Sequence, residues 1–529
     1  MALRLREIPL NLDENEDSLP RKAAAILGLT ANDIRDLRIV RRGIDARKKP
    51  RVLRVYTVEF TVADEAALLR RHASMARLEA APAPGVSEIV RITRPHRALV
   101  VGMGPAGLFA ALHLAERGVT VTLIERGRPV EERVRNVERF WAEGILDPAS
   151  NVQFGEGGAG TFSDGKLTTR LNDPRTFQVL RALVDCGAPE RILIEAKPHV
   201  GSDRLRRVLI GFRRRLQALG VEIRFNACLG GLDCRNGRVV GGLLADGSRL
   251  PCDSLVLAPG HSARDTYEML QRSGVLLEAK PFALGVRVEH PAALINRIQY
   301  GLPDHPQLPT ADYALAWNDS ESGRGVYSFC MCPGGEVINA ASEAGGVVVN
   351  GMSLARRDGS FSNSALVVTV RPDDFAGSDP LAGVRFQRRW EQAAFAAGGG
   401  DYRAPAQNLM AFLGRAGGAV RSSCRPPVRE APLAEVLPDF VTVGLRRALP
   451  HFDHKMRGFV TAEATLIGVE SRTSAPLRIL RDEAGQSLSH PGLYPAGEGA
   501  GYAGGIMSAA LDGLRVAVNI LTTVNGSCL

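Results

Sequence analysis

The stretch that most restricts the fold of this 529-residue chain is Gly102-Met103-Gly104-Pro105-Ala106-Gly107, set between two apolar runs. Arg97–Val101 reads as a short strand before it. Leu108, Ala111, Leu112 and Ala115 follow at i, i+3, i+4 and i+7, the spacing of a helix with one buried face. Val119–Ile124 reads as a second strand, which makes a β-α-β unit, and such a crossover demands a parallel sheet. In that context each glycine has a physical task. Gly102 permits the tight turn, Gly104 lets a pyrophosphate approach the backbone, and Gly107 lets helix and strand pack closely. The helix start at Pro105 and Ala106 turns N–H groups and the positive end of the helix dipole toward phosphate. Glu125, at the end of the second strand, would accept hydrogen bonds from both adenosine ribose hydroxyls. It would also repel a 2′-phosphate, which disfavours NADP at this site.

Three distant segments point from a generic dinucleotide to FAD. Runs at Val221–Phe225, Arg238–Leu244 and Ser254–Leu257, with a turn at Asp246-Gly247, read as a β-meander inserted into the nucleotide fold, and the last ends in Pro259-Gly260. Leu493–Glu498 is a strand ending in Gly497-Glu498, where a carboxylate can bind ribityl hydroxyls. Gly504-Gly505-Ile506 opens a helix, with Ile506, Ala510, Gly513, Ala517 and Ile520 at helical spacing; its dipole would stabilise negative charge on a reduced flavin. A site whose signature returns near the C-terminus suits the length of FAD. Arg126, Leu229 and Pro259 complete the cofactor contacts expected around these motifs.

These residues, with the Ile44–Lys49 hairpin, Phe154–Leu167, Gly260–Arg264, Tyr327–Gly335, Asn350–Ser353, Glu470–Ser474 and Gly497–Gly505, resemble a bacterial and plastid family of poorly characterised FAD-dependent dehydrogenases, the NAD(P)/FAD-dependent oxidoreductases. The resemblance runs over almost the whole chain and implies a glutathione-reductase-type FAD fold with bound FAD. It also implies that the glycine-rich loop Phe154–Leu167 lies along the cofactor, making Gly158, Gly160 and Thr161 contacts, with Lys166 near flavin or a substrate anion. The chain has no second G-x-G-x-x-G in a β-α-β unit and lacks the paired active-site cysteines of disulfide reductases. NAD(P)H, or another electron donor or acceptor, would have to dock without a Rossmann domain of its own.

The fold class expected is α/β: a Rossmann-like FAD-binding domain with a small N-terminal α+β, ferredoxin-like module and an inserted mixed α+β cap. The module spans 1–80, with strands at Leu3–Ile8, Asp36–Arg42 and Arg51–Val62 and helices at Ser18–Leu27 and Asp64–Arg71. A linker at 80–85 leads to the FAD domain at 96–275 and 456–529, interrupted by a cap at 276–455. In the cap, strand alternation would send Cys330 and Cys332 to one face, as a redox pair or as two small pocket-lining side chains. His454 supplies a group that titrates near neutral pH, and Arg472 a guanidinium that could clamp an anionic substrate or pair with Glu470. His261 and Arg264 also fall beside flavin-fold strands.

Composition excludes several classes. Eight cysteines show no CxxC and no zinc spacing, so no metal site is expected. The formal net charge of +9 is carried by arginine spread along the chain, which argues against a nucleic-acid stripe. No run approaches the ~20 apolar residues of a membrane span, and the N-terminus lacks a signal-peptide core. The expected protein is a cytoplasmic, FAD-dependent oxidoreductase moving a hydride between FAD and a small organic substrate under the cap. Two alternatives fit the same motifs: an FAD-dependent RNA-modifying enzyme, suggested by the basic hairpin turn Arg41–Arg51, and a flavin-bound interaction protein without turnover.

Overall fold

The computed structural model describes residues 2–82, 91–169, 171–375, 377 and 379–526; the expected linker lies outside them from residue 83 on, as does Cys528. The N-terminal module consists of β1 (Leu3–Leu10), α1 (Leu19–Leu27), β2 (Arg35–Lys48), β3 (Arg51–Thr61), α2 (Glu65–Arg71) and β4 (Leu78–Ala80). Its strands pair antiparallel in the order β2-β3-β1-β4. Alternation along β3 sends Tyr56, Val58 and Phe60 into a core with Leu3, Leu5 and the apolar face of α1. Asp64 starts α2 by accepting the Ala67 N–H at 2.8 Å. The β2–β3 hairpin is long enough to leave its own module. Arg42 exchanges backbone hydrogen bonds with Ile194 and Ala196, and Val52 joins the core of the cap.

The nucleotide-binding part contains β5 (Arg97–Val101), α3 (Pro105–Ala115), β6 (Thr120–Ile124), α4 (Val130–Glu143), α5 (Thr176–Asp185), α6 (Ser202–Ala218) and β7 (Glu222–Arg224). β8 (Leu229–Arg235), β9 (Arg238–Leu244), β10 (Arg249–Pro251), β11 (Ser254–Leu257) and α7 (Arg264–Arg272) follow. The cap supplies β12 (Leu277–Ala279), β13 (Phe282–Pro291), α8 (Ala292–Tyr300), β14 (Ala316–Asn318), β15 (Gly325–Cys332), β16 (Glu336–Asn339), β17 (Val349–Met352) and β18 (Phe361–Val370). It continues through α9 (Ala382–Ala397), β19 (Pro405–Asn408), α10 (Leu409–Phe412), β20 (Arg429–Glu430), α11 (Asp439–Lys455) and β21 (Thr465–Glu470). The chain returns with β22 (Leu477–Ile479), β23 (Leu493–Pro495) and α12 (Ile506–Gly526).

A five-stranded parallel sheet, ordered β7-β6-β5-β11-β23, forms the centre of the nucleotide-binding part. The meander differs from the expectation. It is β8-β9-β10, whereas the runs around β7 and β11 belong to the parallel sheet. The reason is local: Leu-Gly-Gly-Leu-Asp-Cys-Arg in β8 has no clean alternation, and β10 is only three residues long. α12 is 21 residues with mean hydropathy 1.2, long and apolar enough to cross a membrane by length and composition, contrary to the sequence reading. Here it is a mostly buried helix packed on α3. The approach is so close that a Cβ on Gly513 would sit 2.1 Å from the Ala106 carbonyl oxygen.

The cap is a seven-stranded sheet, ordered β14-β15-β18-β13-β21-β19-β20. β21 is a central strand of it, so the cap sheet runs past residue 455, the edge read from sequence. Every residue of β21 is buried, and such a run carries no signal of which sheet it joins. One face of the cap sheet, with Leu284, Val286 and Val288 of β13, packs on α11. On β13 the opposite face carries Ala283, Gly285 and Arg287. On the neighbouring β21, Glu470, paired with Gly285, lines the site.

Candidate functional site

A cavity of about 230 Å³ runs from the glycine-rich turn after β5 to the underside of the cap sheet. At one end lie Gly102, Gly104, Pro105, Ala106, Glu125, Arg126, Leu229, Pro259 and Gly260. Gly158 and Gly160 of the long loop, then Gly497, Glu498, Gly505 and Ile506, line its middle; Lys166, Cys330, Asn350, Glu470 and Arg472 line the cap end. Segments almost four hundred residues apart in sequence, around Gly104 and Glu498, therefore face one space.

The turn glycines play different parts. Gly102 has φ +97, and a Cβ there would lie 2.2 Å from the Ala258 carbonyl oxygen of the neighbouring strand's end. A Cβ on Gly107 would lie 1.9 Å from the Gly102 carbonyl oxygen, which explains why this contact residue of the motif packs away from the cavity. Gly104 is the opposite case: the nearest heavy atom to a Cβ would be Gly158 Cα, at 3.9 Å. Two glycines from distant loops thus leave a bare backbone cradle at the start of α3, the shape a pyrophosphate needs. The residues present fit FAD on this observation.

Glu125 is more heavily engaged than expected. Its carboxylate accepts the N–H of Met103 at 2.8 Å, of Gly127 at 2.9 Å and of Gly155 at 3.0 Å. It therefore ties the phosphate turn to the long loop, while Oε2, which accepts only the Met103 N–H, keeps acceptor capacity for a ribose hydroxyl. Arg126 donates to Asp265 and Thr266, both at 3.0 Å, and lies 4.4 Å over the Phe154 ring.

The long loop is built around a residue the sequence reading missed. Arg133, fully buried on α4, donates to the carbonyl oxygens of Asn151, Val152, Gly155 and Glu156 and to the Thr161 hydroxyl. Thr161 is thus a loop brace and does not line the cavity. The available signal was an arginine among Val130, Val137, Phe140 and Trp141, on an otherwise apolar helix face. Asp164 fixes the far end of the loop by pairing with Arg357 and accepting the Ser353 hydroxyl at 2.6 Å.

At the cap end, Arg287 is fully buried and pairs with Glu470 at 2.9 Å. It also donates to Asn363 at 2.8 Å, to Asn350 at 3.2 Å and to the Cys330 carbonyl. Burial pushes the Glu470 carboxyl up to about 7 against the pull of Arg287. Glu498, partly open to the cavity, is also raised to about 7 by desolvation, opposed by the Gly505 N–H and Lys280. His261 lines the same space, lowered to about 3 by burial and by Arg472 and Arg264. Lys166 donates to the Met331 carbonyl. Asn350 belongs to the Asn350–Ser353 motif of the resemblance, but Arg287 went unnoticed in the sequence, although a charged residue inside Phe-Ala-Leu-Gly-Val-Arg-Val is a visible break in an apolar strand.

Four expected catalytic residues need correction. Cys330 and Cys332 do not meet by simple alternation: the strand bulges between Phe329 and Cys332, and Cys330 has φ +46. Only Cys330 lines the cavity; Cys332 is buried behind it. Arg472 reaches the cavity, but its guanidinium is committed to Glu391 at 2.8 and 3.0 Å and to Ser342 at 2.5 Å. Arg264 grips the same carboxylate at 2.7 Å. Despite a burial that would raise it, these two arginines hold Glu391 far below the usual carboxylate range. Arg472 is thus a structural partner rather than a free substrate clamp. His454 is exposed on α11, away from the cavity. Gly504 too lies outside the lining, next to Gly505. Among the described residues no cluster of metal-ligand type occurs.

Residues 97–161 match a family described as FAD dependent oxidoreductase, residues 281–473 one described as FAD-dependent protein, C-terminal domain-like, and residues 2–61 a domain of unknown function. An uncharacterized protein from Clostridium beijerinckii is 46% identical, over 98% of this chain and 99% of its own. Similar solved structures include the flavin-dependent brominase Bmp2, at 13% identity, 82% and 80% coverage and TM-score 0.38. Glycine oxidase from Bacillus cereus matches at 12% identity, 82% and 97% coverage and TM-score 0.35. The glycerol-3-phosphate dehydrogenase from Bacillus halodurans complexed with FAD matches at 13% identity, 82% and 65% coverage and TM-score 0.35. The chain belongs, with its Clostridium beijerinckii relative, to an FAD-dependent oxidoreductase family, and its cofactor is FAD.

Proposed function

We propose that the protein moves a hydride between FAD and a small organic substrate held between the nucleotide-binding sheet and the cap. The observation carrying this reading is the single cavity that joins the Gly104–Gly158 cradle to the polar underside of the cap sheet. Parallel order β7-β6-β5-β11-β23 with a β8-β9-β10 meander supports the glutathione-reductase-type arrangement, and order β2-β3-β1-β4 a ferredoxin-like N-terminal module. The cofactor would be held by Gly102, Gly104, Glu125, Gly158, Gly160, Glu498 and Ile506.

Bound FAD supplies the two-electron chemistry, and the chain supplies position, dryness and protons. Glu470 at the cap end and Glu498 in the middle of the cavity, both near neutrality, can hold or release a proton at working pH. His261 remains neutral there and offers a hydrogen bond without adding charge. Anaerobic mixing of the yellow protein with NADH, NADPH and a panel of small hydroxy, amino and unsaturated acids tests the proposal. Bleaching of flavin absorbance by one specific small molecule is expected; a flavin that none reduces, and that once reduced passes electrons to none, contradicts it.

A further inference from the structure

The cap presents a pair of thiols to the cofactor cavity in an arrangement that a purely structural strand does not need. Cys330 lines the cavity beside Phe329, a large apolar residue left 38% exposed. Cys332 lies behind it at 0% exposure, with its Sγ 3.5 Å from the Cys330 carbonyl oxygen. Three features hold this geometry. The bulge in β15 puts Cys330 at φ +46, a conformation that costs a side-chain-bearing residue energy and persists where surrounding structure imposes it. Arg287, fully buried, fastens the Cys330 carbonyl and sits 3.8 Å from Cys332 Sγ. Gly351 makes room: a Cβ there would be 2.7 Å from Cys332 Sγ.

We infer that Cys330 and Cys332 form a redox-active dithiol that exchanges two electrons with the FAD of this site, Cys330 being the thiol open to the cavity and Cys332 its buried partner. The inference rests on the proposed placement of FAD in the cavity. In the oxidising direction the Cys330 thiolate and the Cys332 thiol join as an S–S bond. Their electron pair passes to FAD, which takes up the Cys332 proton and one further proton to become FADH₂. The reverse step, from reduced flavin to disulfide, regenerates both thiols. The surroundings favour the thiolate at the accessible position: Cys332, Arg287 and Lys166 all lower the Cys330 thiol, while Cys332 is raised by its neighbour and by burial. A thiolate open to the cavity, with the buried Cys332 Sγ packed 3.5 Å from the Cys330 carbonyl oxygen, is a pair that thiol–disulfide interchange can use.

An anaerobic dithionite titration of the air-oxidised holoprotein, read by flavin absorbance and by iodoacetamide labelling in denaturant with peptide mass spectrometry, tests this. The wild type should take up two more electrons per flavin than Cys330→Ser or Cys332→Ser, and both cysteines should become labelled only after reduction. Equal uptake by all three proteins, or full labelling of both cysteines in the oxidised wild type, overturns the inference. Should a variant fail to fold, the wild-type labelling before and after reduction decides alone. A protein without flavin fails the FAD placement instead, and diamide-driven linkage of the two cysteines in that protein then reads the dithiol separately: a linked peptide supports it and two free thiols reject it.

Discussion

A valine at residue 104 and an alanine at residue 107 should fail in different ways, although both replace glycines of one motif. At Gly104 a side chain meets no protein atom closer than Gly158 Cα, so Gly104→Val should fold with nearly unchanged thermal stability and lose FAD. At Gly107 the added Cβ falls 1.9 Å from the Gly102 carbonyl oxygen, and Gly107→Ala should cost about 1–3 kcal/mol of stability in the flavin-free protein. Thermal unfolding beside flavin content checks both; the same stability loss at both positions contradicts the division of roles. Glu125→Ala removes the acceptor for three backbone N–H groups, each costing about 1–3 kcal/mol if left buried and unpaired. It should therefore destabilise the protein even without cofactor. A residue serving ribose alone would leave the flavin-free protein unaffected. At Cys330, iodoacetamide labelling of the reduced protein should reach its full rate at a pH well below the ~8.5 of an ordinary thiol. A rate still climbing there shows no thiolate stabilisation.

The long loop after α4 shows what an element owes to a single side chain. Four of its carbonyl oxygens and one hydroxyl take their hydrogen bonds from Arg133. Arg133→Met should speed proteolytic cutting within 151–161 and weaken FAD retention by tenfold or more, roughly the ~1.4 kcal/mol of one lost brace; a cutting pattern identical to wild type contradicts this role. Elements of this part of the chain were legible in sequence to differing degrees, for physical reasons. β5, β9 and β11 were placed to the residue because their apolar runs end at glycine or charge. α3 and β6 followed from the periodicity around the Gly-rich turn. The meander was misassembled because β8 is glycine-rich and polar, and β21 was cut off from the cap because a wholly buried strand does not advertise its sheet. The cavity end built on Gly104 and Glu125 was readable, since backbone approach leaves a glycine pattern. Arg287 and Arg133 were not singled out, because their partners, backbone carbonyls, amides and for Arg287 the Glu470 carboxylate, are brought near only by folding.

Over the whole molecule, buried titratable groups impose an electrostatic pattern on stability. Burial lowers His96, His113, His199, His261 and His290, the last four to about 3 or 4. Between those values and ~6.5 the unfolded chain binds protons there that the native chain does not, so these groups make stability rise with pH. Glu156, Glu289, Glu470 and Glu498 are raised by burial, three of them to about 7 from a starting value of 4.5. From 4.5 to about 7 the native chain holds protons that the unfolded chain has lost, so these make stability fall with pH. The two sets oppose each other. Glu498→Gln removes one falling contribution, and the flavin-free variant should show a stability slope more positive than wild type by up to about 1.4 kcal/mol per pH unit over that window. Urea unfolding at several pH values measures it, and superimposable slopes contradict the buried, proton-holding Glu498. The central claim, that the Gly104 turn, the Gly158 loop and the Glu498 strand end converge on one cofactor, is met most directly by releasing the flavin from purified protein by heat and chromatographing it. One FAD per chain in the wild type and none in a folded Gly104→Val protein is the predicted result. A wild type that neither carries nor takes up FAD, or a Gly104→Val protein with its full complement, contradicts the account.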